Sequence, residues 1–143
     1  SALAFRGAYV ASKFALEGIS DTMRLELAGT GIDISLIEPG PITSRFRANA
    51  LRAFEQHIDW QNSVHREAYR RQLERMRKPG PAAPFTLPPE AVVKRLIHAI
   101  EAKRPKARYP VTVPTYLFAT LRRLLTVRAM DRVLSRASGG GKR

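Results

Sequence analysis

Leu16, Ile19, Met23 and Leu27 recur at steps of three and four, and this spacing predicts a helix from Ala8 to about Ala28. Gly29 and Gly31 bracket its stop, as glycine does where a chain leaves a helix through a left-handed turn. Ile32, Ile34, Leu36 and Ile37 follow as a short apolar run. That run reads as a buried strand over 32–37, ended by Pro39 and Gly40. A helix, a tight turn and an apolar strand predict an αβ unit of a parallel sheet.

Beyond Pro41 the pattern becomes more polar. "PITSRFRANALRAF" reads as a loop passing into a short helix. Residues 63–77 read as a polar helix, with Glu67–Arg71 and Glu74–Lys78 as opposite charges four apart. Residues 78–89 hold five prolines and one glycine, which predicts an irregular connector. Pro89 and Glu90 suit the first turn of another helix, with Val93, Leu96, Ile97 and Ile100 as its buried stripe. Pro105 closes that segment. "ARYPVTV" (107–113) suits a second strand, which Pro110 confines to an edge or a bulge. Residues 115–136 resume helix, and "SGGGKR" (138–143) is a frayed tail. Two parallel strands cannot by themselves make a sheet buried on both faces. The chain therefore reads as mostly helical, the second half of a larger α/β domain.

Composition narrows the chemistry. A chain of 143 residues has room for one domain with a real core. It has no cysteine, which removes disulfides, thiolate catalysis and cysteine-ligated metal, and a reducing compartment is allowed. His57, His65 and His98 show no metal-ligand spacing, so no metal site is expected. Neither a secretory leader nor a run long enough to span a bilayer is visible. Charge is unevenly placed: residues 1–50 carry five basic and five acidic side chains, so the whole +13 falls in residues 51–143. Nucleic acid, an anionic membrane, a phosphorylated cofactor and a merely solvated arginine-rich surface all remain open readings of that half.

The candidate chemistry sits at the front. Tyr9 and Lys13 are four apart on the first helix and share a face. A free phenol, with a pKa near ~10, is a poor proton donor or acceptor at neutral pH, and a neighbouring ammonium favours phenolate. Alone, such a pair also suits an aromatic packed at a helix start beside a solvated lysine. Its surroundings add more. "YVASK" followed by "FALEG", a helix of about twenty residues and then "IDISLIEPGPI" resembles the short-chain dehydrogenase/reductase family. In that family a Tyr-x-x-x-Lys motif opens a long helix and the next strand ends in Pro-Gly, followed by valine or isoleucine and a threonine.

The resemblance implies the C-terminal portion of a Rossmann-type, doubly wound parallel sheet. Its parts would be a catalytic helix 8–28, strand 32–37, a substrate-binding region 41–88, C-terminal helices with an edge strand over 89–137, and the tail. It implies an oxidoreductase transferring hydride between NAD or NADP and a small alcohol or carbonyl, of lipophilic character. Tyr9 would be the general acid or base. Lys13 would assist it and bond the nicotinamide ribose. Pro39 and Gly40 would shape the loop at the strand's carboxyl end, where α/β sheets bind ligands. Ile42 would hold the carboxamide through its backbone, and Ser44 stands where the family usually has threonine. Phe46, Phe54 and Trp60 are candidates for the substrate pocket, with Tyr69 beside them, and core packing is the alternative for each aromatic.

The family's glycine-rich pyrophosphate turn and Asn-Ala-Gly stretch have no counterpart here, and Ser1 lies too near Tyr9 to be its catalytic serine. The chain alone is therefore expected to be inactive, with NAD versus NADP undecided. Helix 8–28 is a candidate homo-oligomer interface. Residues 115–136 are candidates for peripheral contact with a membrane, for a cap on the substrate pocket, or for packing within a cytoplasmic protein. No sequence-specific nucleic-acid motif is present. The rival reading is a non-catalytic, truncated homologue that serves as an interaction module.

Overall fold

The computed structural model describes residues 6–81 and 83–137, which form two compact units. Residues up to Gly40 and from Glu90 onward make the first, and Pro41–Pro89 the second. The tail 138–143 and Ser1 lie outside the described residues. The fold class is α/β, mostly helical, with a small parallel sheet.

The first unit opens with α1 (Gly7–Glu26). The chain leaves it through Gly29 and Gly31, at φ +82° and +83°, where a side chain would be strained. The apolar run that follows forms a shorter strand than predicted. Only Leu36–Glu38 pair, as β1, and Ile34, Leu36 and Ile37 are half-buried rather than buried. The partner β2 (Arg108–Pro110) is parallel, with Leu36, Ile37 and Glu38 opposite Arg108, Tyr109 and Pro110. Bonds from Leu36 N–H to the Ala107 carbonyl and from Val111 N–H to the Glu38 carbonyl flank the ladder. These bonds fall on odd-numbered residues of β2. Pro110 is out of that phase, so its missing N–H costs the ladder nothing.

Between the strands α4 (Glu90–Glu101) packs on β1. His98 near its end meets Tyr109, whose hydroxyl lies 3.0 Å from His98 Nδ1 and accepts the Lys106 N–H at 2.9 Å. After β2 come α5 (Val113–Leu124) and α6 (Val127–Ala137), where one continuous helix was expected. The break has a local cause. Leu125 is extended, and Thr126 opens a new helix by accepting the Met130 N–H on its carbonyl and the Ala129 N–H on its hydroxyl. The core of this unit is small: Tyr109, Val111, Thr112 and Met130.

The second unit pairs α2 (Phe46–His57) with α3 (Arg66–Arg77). Leu73 is buried between them and the rings of Phe54 and Tyr69 meet at 5.5 Å. Arg77 bridges Glu55. Within α3, Glu67 pairs with Arg70 rather than with Arg71, and Lys78 returns its backbone N–H to the Glu74 carbonyl.

One prediction fails on burial. Val93, Leu96, Ile97 and Ile100 are 48%, 45%, 46% and 74% exposed. The helix is where the spacing puts it, but a two-stranded sheet is too narrow to cover a full helical stripe.

Candidate functional site

The proton-handling pair forms as its spacing requires. Tyr9 and Lys13 lie one turn apart in the first half of α1, and the Lys13 ammonium sits 5.5 Å from the centre of the Tyr9 ring. That is within cation–π range. Both side chains are exposed, Tyr9 at 46%. Ser12 bonds its hydroxyl back to the Tyr9 carbonyl at 2.7 Å.

The same helix is tied to the sheet by charge. Arg108 of β2 reaches Glu38 of β1 at 2.7 Å, and Asp21 and Glu17 of α1 at 3.1 and 3.4 Å. Hydrogen bonding to the Glu38 carboxylate holds the Arg108 guanidinium above its ordinary pKa. Burial opposes that shift, and the charges of Asp21, Glu38 and Glu17 reinforce it. A second tie places the Arg122 guanidinium 4.9 Å from the centre of the Phe14 ring, joining α5 to α1.

Pro39 and Gly40 leave the carboxyl end of β1. Gly40 adopts φ +71°, and an added Cβ there would collide with the hydroxyls of Thr112 and Thr115. Both conditions require glycine. The sequence shows the Pro-Gly pair, but not what crowds it from more than seventy positions downstream.

Ile42 and Ser44 belong to the second unit. Ile42 makes an isolated parallel bridge to Leu87, with the Thr43 N–H donating to the Leu87 carbonyl and the Leu87 N–H to the Pro41 carbonyl. The loop of residues 41–43 is thus held as a short strand-like segment. Ser44 accepts the Phe46 N–H on its hydroxyl at 3.3 Å, a local turn that leads into α2. Phe46 is 60% exposed, whereas Phe54 packs on Tyr69 and Trp60 is half-buried. Among the described residues no group of histidine, aspartate and glutamate could hold a metal ion.

Sequence reasoning did not mark Arg108, Thr112 or Thr115. Thr112 stands at the N-cap and Pro114 in the first turn of α5, which starts two residues earlier than predicted.

The model of the short chain dehydrogenase family matches residues 1–54. The uncharacterized oxidoreductase YbbO of Escherichia coli K12 is 46% identical over 129 residues, 90% of this chain and 42% of that protein. The NADPH-dependent 3-dehydrocapnine reductase of Ornithobacterium rhinotracheale is 32% identical over 127 residues, 89% of this chain and 43% of its own. Human 17-beta-hydroxysteroid dehydrogenase type 1 is 32% identical over 116 residues, 77% of this chain and 33% of its own. The chain thus spans about two fifths of the length of the first two relatives.

Proposed function

The chain belongs to the short-chain dehydrogenase family, and on that premise we propose that it carries the proton-handling part of an NAD(P)-dependent oxidoreductase. The observation that carries this reading is the Tyr9–Lys13 pair, exposed on one face of α1 with the ammonium beside the ring.

The residues present fit the nicotinamide end of such a cofactor. Tyr9 and Lys13 offer a hydroxyl and an ammonium to a ribose, and Gly40 holds a left-handed turn at the carboxyl end of β1 in which an added Cβ would strike Thr112 and Thr115. Pro39, Gly40, Ile42 and Ser44 are proposed to line that end, with Ile42 contributing backbone groups. When bound, the nicotinamide supplies the hydride chemistry. Tyr9 gives its phenolic proton to the carbonyl oxygen during reduction, or takes the hydroxyl proton during oxidation. Lys13 stabilises the phenolate left behind and bonds the ribose hydroxyls. Phe46, 60% exposed, is proposed to meet an apolar substrate, with Phe54 and Trp60 as further candidates for the pocket.

The substrate is proposed to be a lipophilic alcohol or carbonyl compound. Of the relatives, one is named a 17-beta-hydroxysteroid dehydrogenase and another a 3-dehydrocapnine reductase. NAD and NADP remain equal candidates. A cytoplasmic location fits the absence of cysteine, α1 is the proposed self-association helix, and α5 the proposed point of membrane contact.

The experiment is Tyr9→Phe in the enzyme of which these residues form a part. Turnover should fall by about 10²-fold or more, the scale of a lost general acid, while cofactor affinity falls only by about fivefold, the scale of one lost hydrogen bond to the ribose. Turnover within a few-fold of wild type would end the assignment. The 143-residue chain alone, assayed beside it, should show no turnover, because the glycine-rich pyrophosphate turn is not in its sequence.

A further inference from the structure

Gly40 is crowded by two hydroxyls that the proposed chemistry does not use. Thr112 is fully buried at 0% exposure, and its hydroxyl lies 3.0 Å from that of Thr115. Thr112 stands at the N-cap of α5, where its carbonyl accepts the N–H groups of Thr115 and Tyr116. A threonine in that position commonly turns its hydroxyl onto a backbone N–H of the first turn. Thr112 makes no such side-chain cap. Its hydroxyl is spent on Thr115, and the bonded pair stands where a Gly40 side chain would begin.

Simple packing does not call for this arrangement. Valine has the shape of threonine and would fill the same volume without burying a polar atom that needs a partner. Two hydroxyls locked to each other form a stiffer stop than two freely rotating side chains. Gly40 meets that stop with its backbone, which has no flexible side chain to absorb a shift.

We propose that Thr112 and Thr115 are positioning residues that set the Pro39–Gly40 turn from the start of α5. The inference rests on the reading that this turn holds the nicotinamide end of a dinucleotide. The C-terminal helix then fixes where the cofactor lies without touching it. Loosening the pair lets the turn drift from its bound position, so cofactor binding weakens while the proton chemistry at Tyr9, on another element, continues.

Steady-state kinetics of the active enzyme test this with Thr112→Val, Thr115→Ala and Thr112→Ser. The valine and alanine variants should raise the cofactor KM about fivefold, the factor to which one net hydrogen bond converts, with kcat changed less than about twofold. Thr112→Ser keeps the hydroxyl and should return KM to within about twofold of wild type. A lowered melting temperature with cofactor KM unchanged in Thr112→Val and Thr115→Ala would reduce the pair to a structural role and overturn the inference. If Thr112→Val does not fold, Thr115→Ala decides alone, since Thr115 is only half-buried. Tyr9→Phe run beside them separates the two ideas. An active Tyr9→Phe removes the proton-handling reading, whereas an inactive one with unmoved KM in the threonine variants removes only this proposal.

Discussion

Arg108 shows how much one side chain can organise and why such a residue hides in a sequence. Its guanidinium joins β2 to β1 through Glu38 and to α1 through Asp21 and Glu17, while remaining 34% exposed. Arg108→Met should destabilise the folded chain by about 1–3 kcal/mol at neutral pH, the range for hydrogen bonds to charged groups, since three carboxylates lose a shared cation. Partial exposure places the value toward the lower end. Urea unfolding measures it, and a cost below about 0.5 kcal/mol would show the cluster to be ornamental. Tyr9 and Lys13 were legible because four positions along a helix is a local relation. Arg108 was not, since its partners lie 91, 87 and 70 positions away. Gly40 is half of each kind: Pro-Gly announces a turn, but only the folded chain brings Thr112 against it.

Among the elements, helix positions followed from hydrophobic spacing and their burial did not. The stripe on α4 has the right period, yet Ile100 is 74% exposed, and Leu16 and Ile19 on α1 are 49% and 58% exposed. Period says which residues share a face, while burial depends on what lies opposite. In α3 the same period marks a different outcome, for Leu73 is 1% exposed against α2. Leu73→Ala should therefore cost about 2–5 kcal/mol, and Ile100→Ala less than about 1 kcal/mol, despite similar side-chain size. Denaturant melts of the 143-residue chain compare the two directly. Equal costs would mean that the α4 stripe is covered in solution, and the exposed face would then be misread. The extra break in the C-terminal helix has a similar lesson. Thr126 competes as a cap inside a stretch whose apolar period runs on unbroken, and the cap wins because it satisfies two backbone donors.

For the molecule as a whole, part of the basic charge of residues 51–143 and several apolar side chains meet on the last two helices. α6 turns its apolar side inward, with Met130 8% exposed, so it presents mainly arginines outward. α5 differs: Val113, Tyr116, Leu117 and Leu124 stay 60%, 47%, 53% and 76% exposed, and Val127 at the start of α6 is 77% exposed. Five arginines and one aspartate accompany this row through residues 113–137. No helix among the described residues is long and apolar enough to cross a bilayer, so any contact of this kind lies along the surface. Apolar side chains entering the interface and arginines meeting lipid phosphates would act together, at roughly 1 kcal/mol per cation near an anionic leaflet. Co-sedimentation with phosphatidylcholine vesicles containing a quarter phosphatidylserine should retain the protein at low salt and release it as salt rises, since screening shortens the reach of the arginines. Arg123→Gln with Arg128→Gln should weaken retention by more than about tenfold. Leu117→Glu with Leu124→Glu should abolish it even with every arginine in place. If the leucine variant binds as well as the parent, the attraction is charge alone and the exposed row on α5 has another use. If the parent fails to bind at low salt, membrane contact is dismissed and the arginines are a solvated surface.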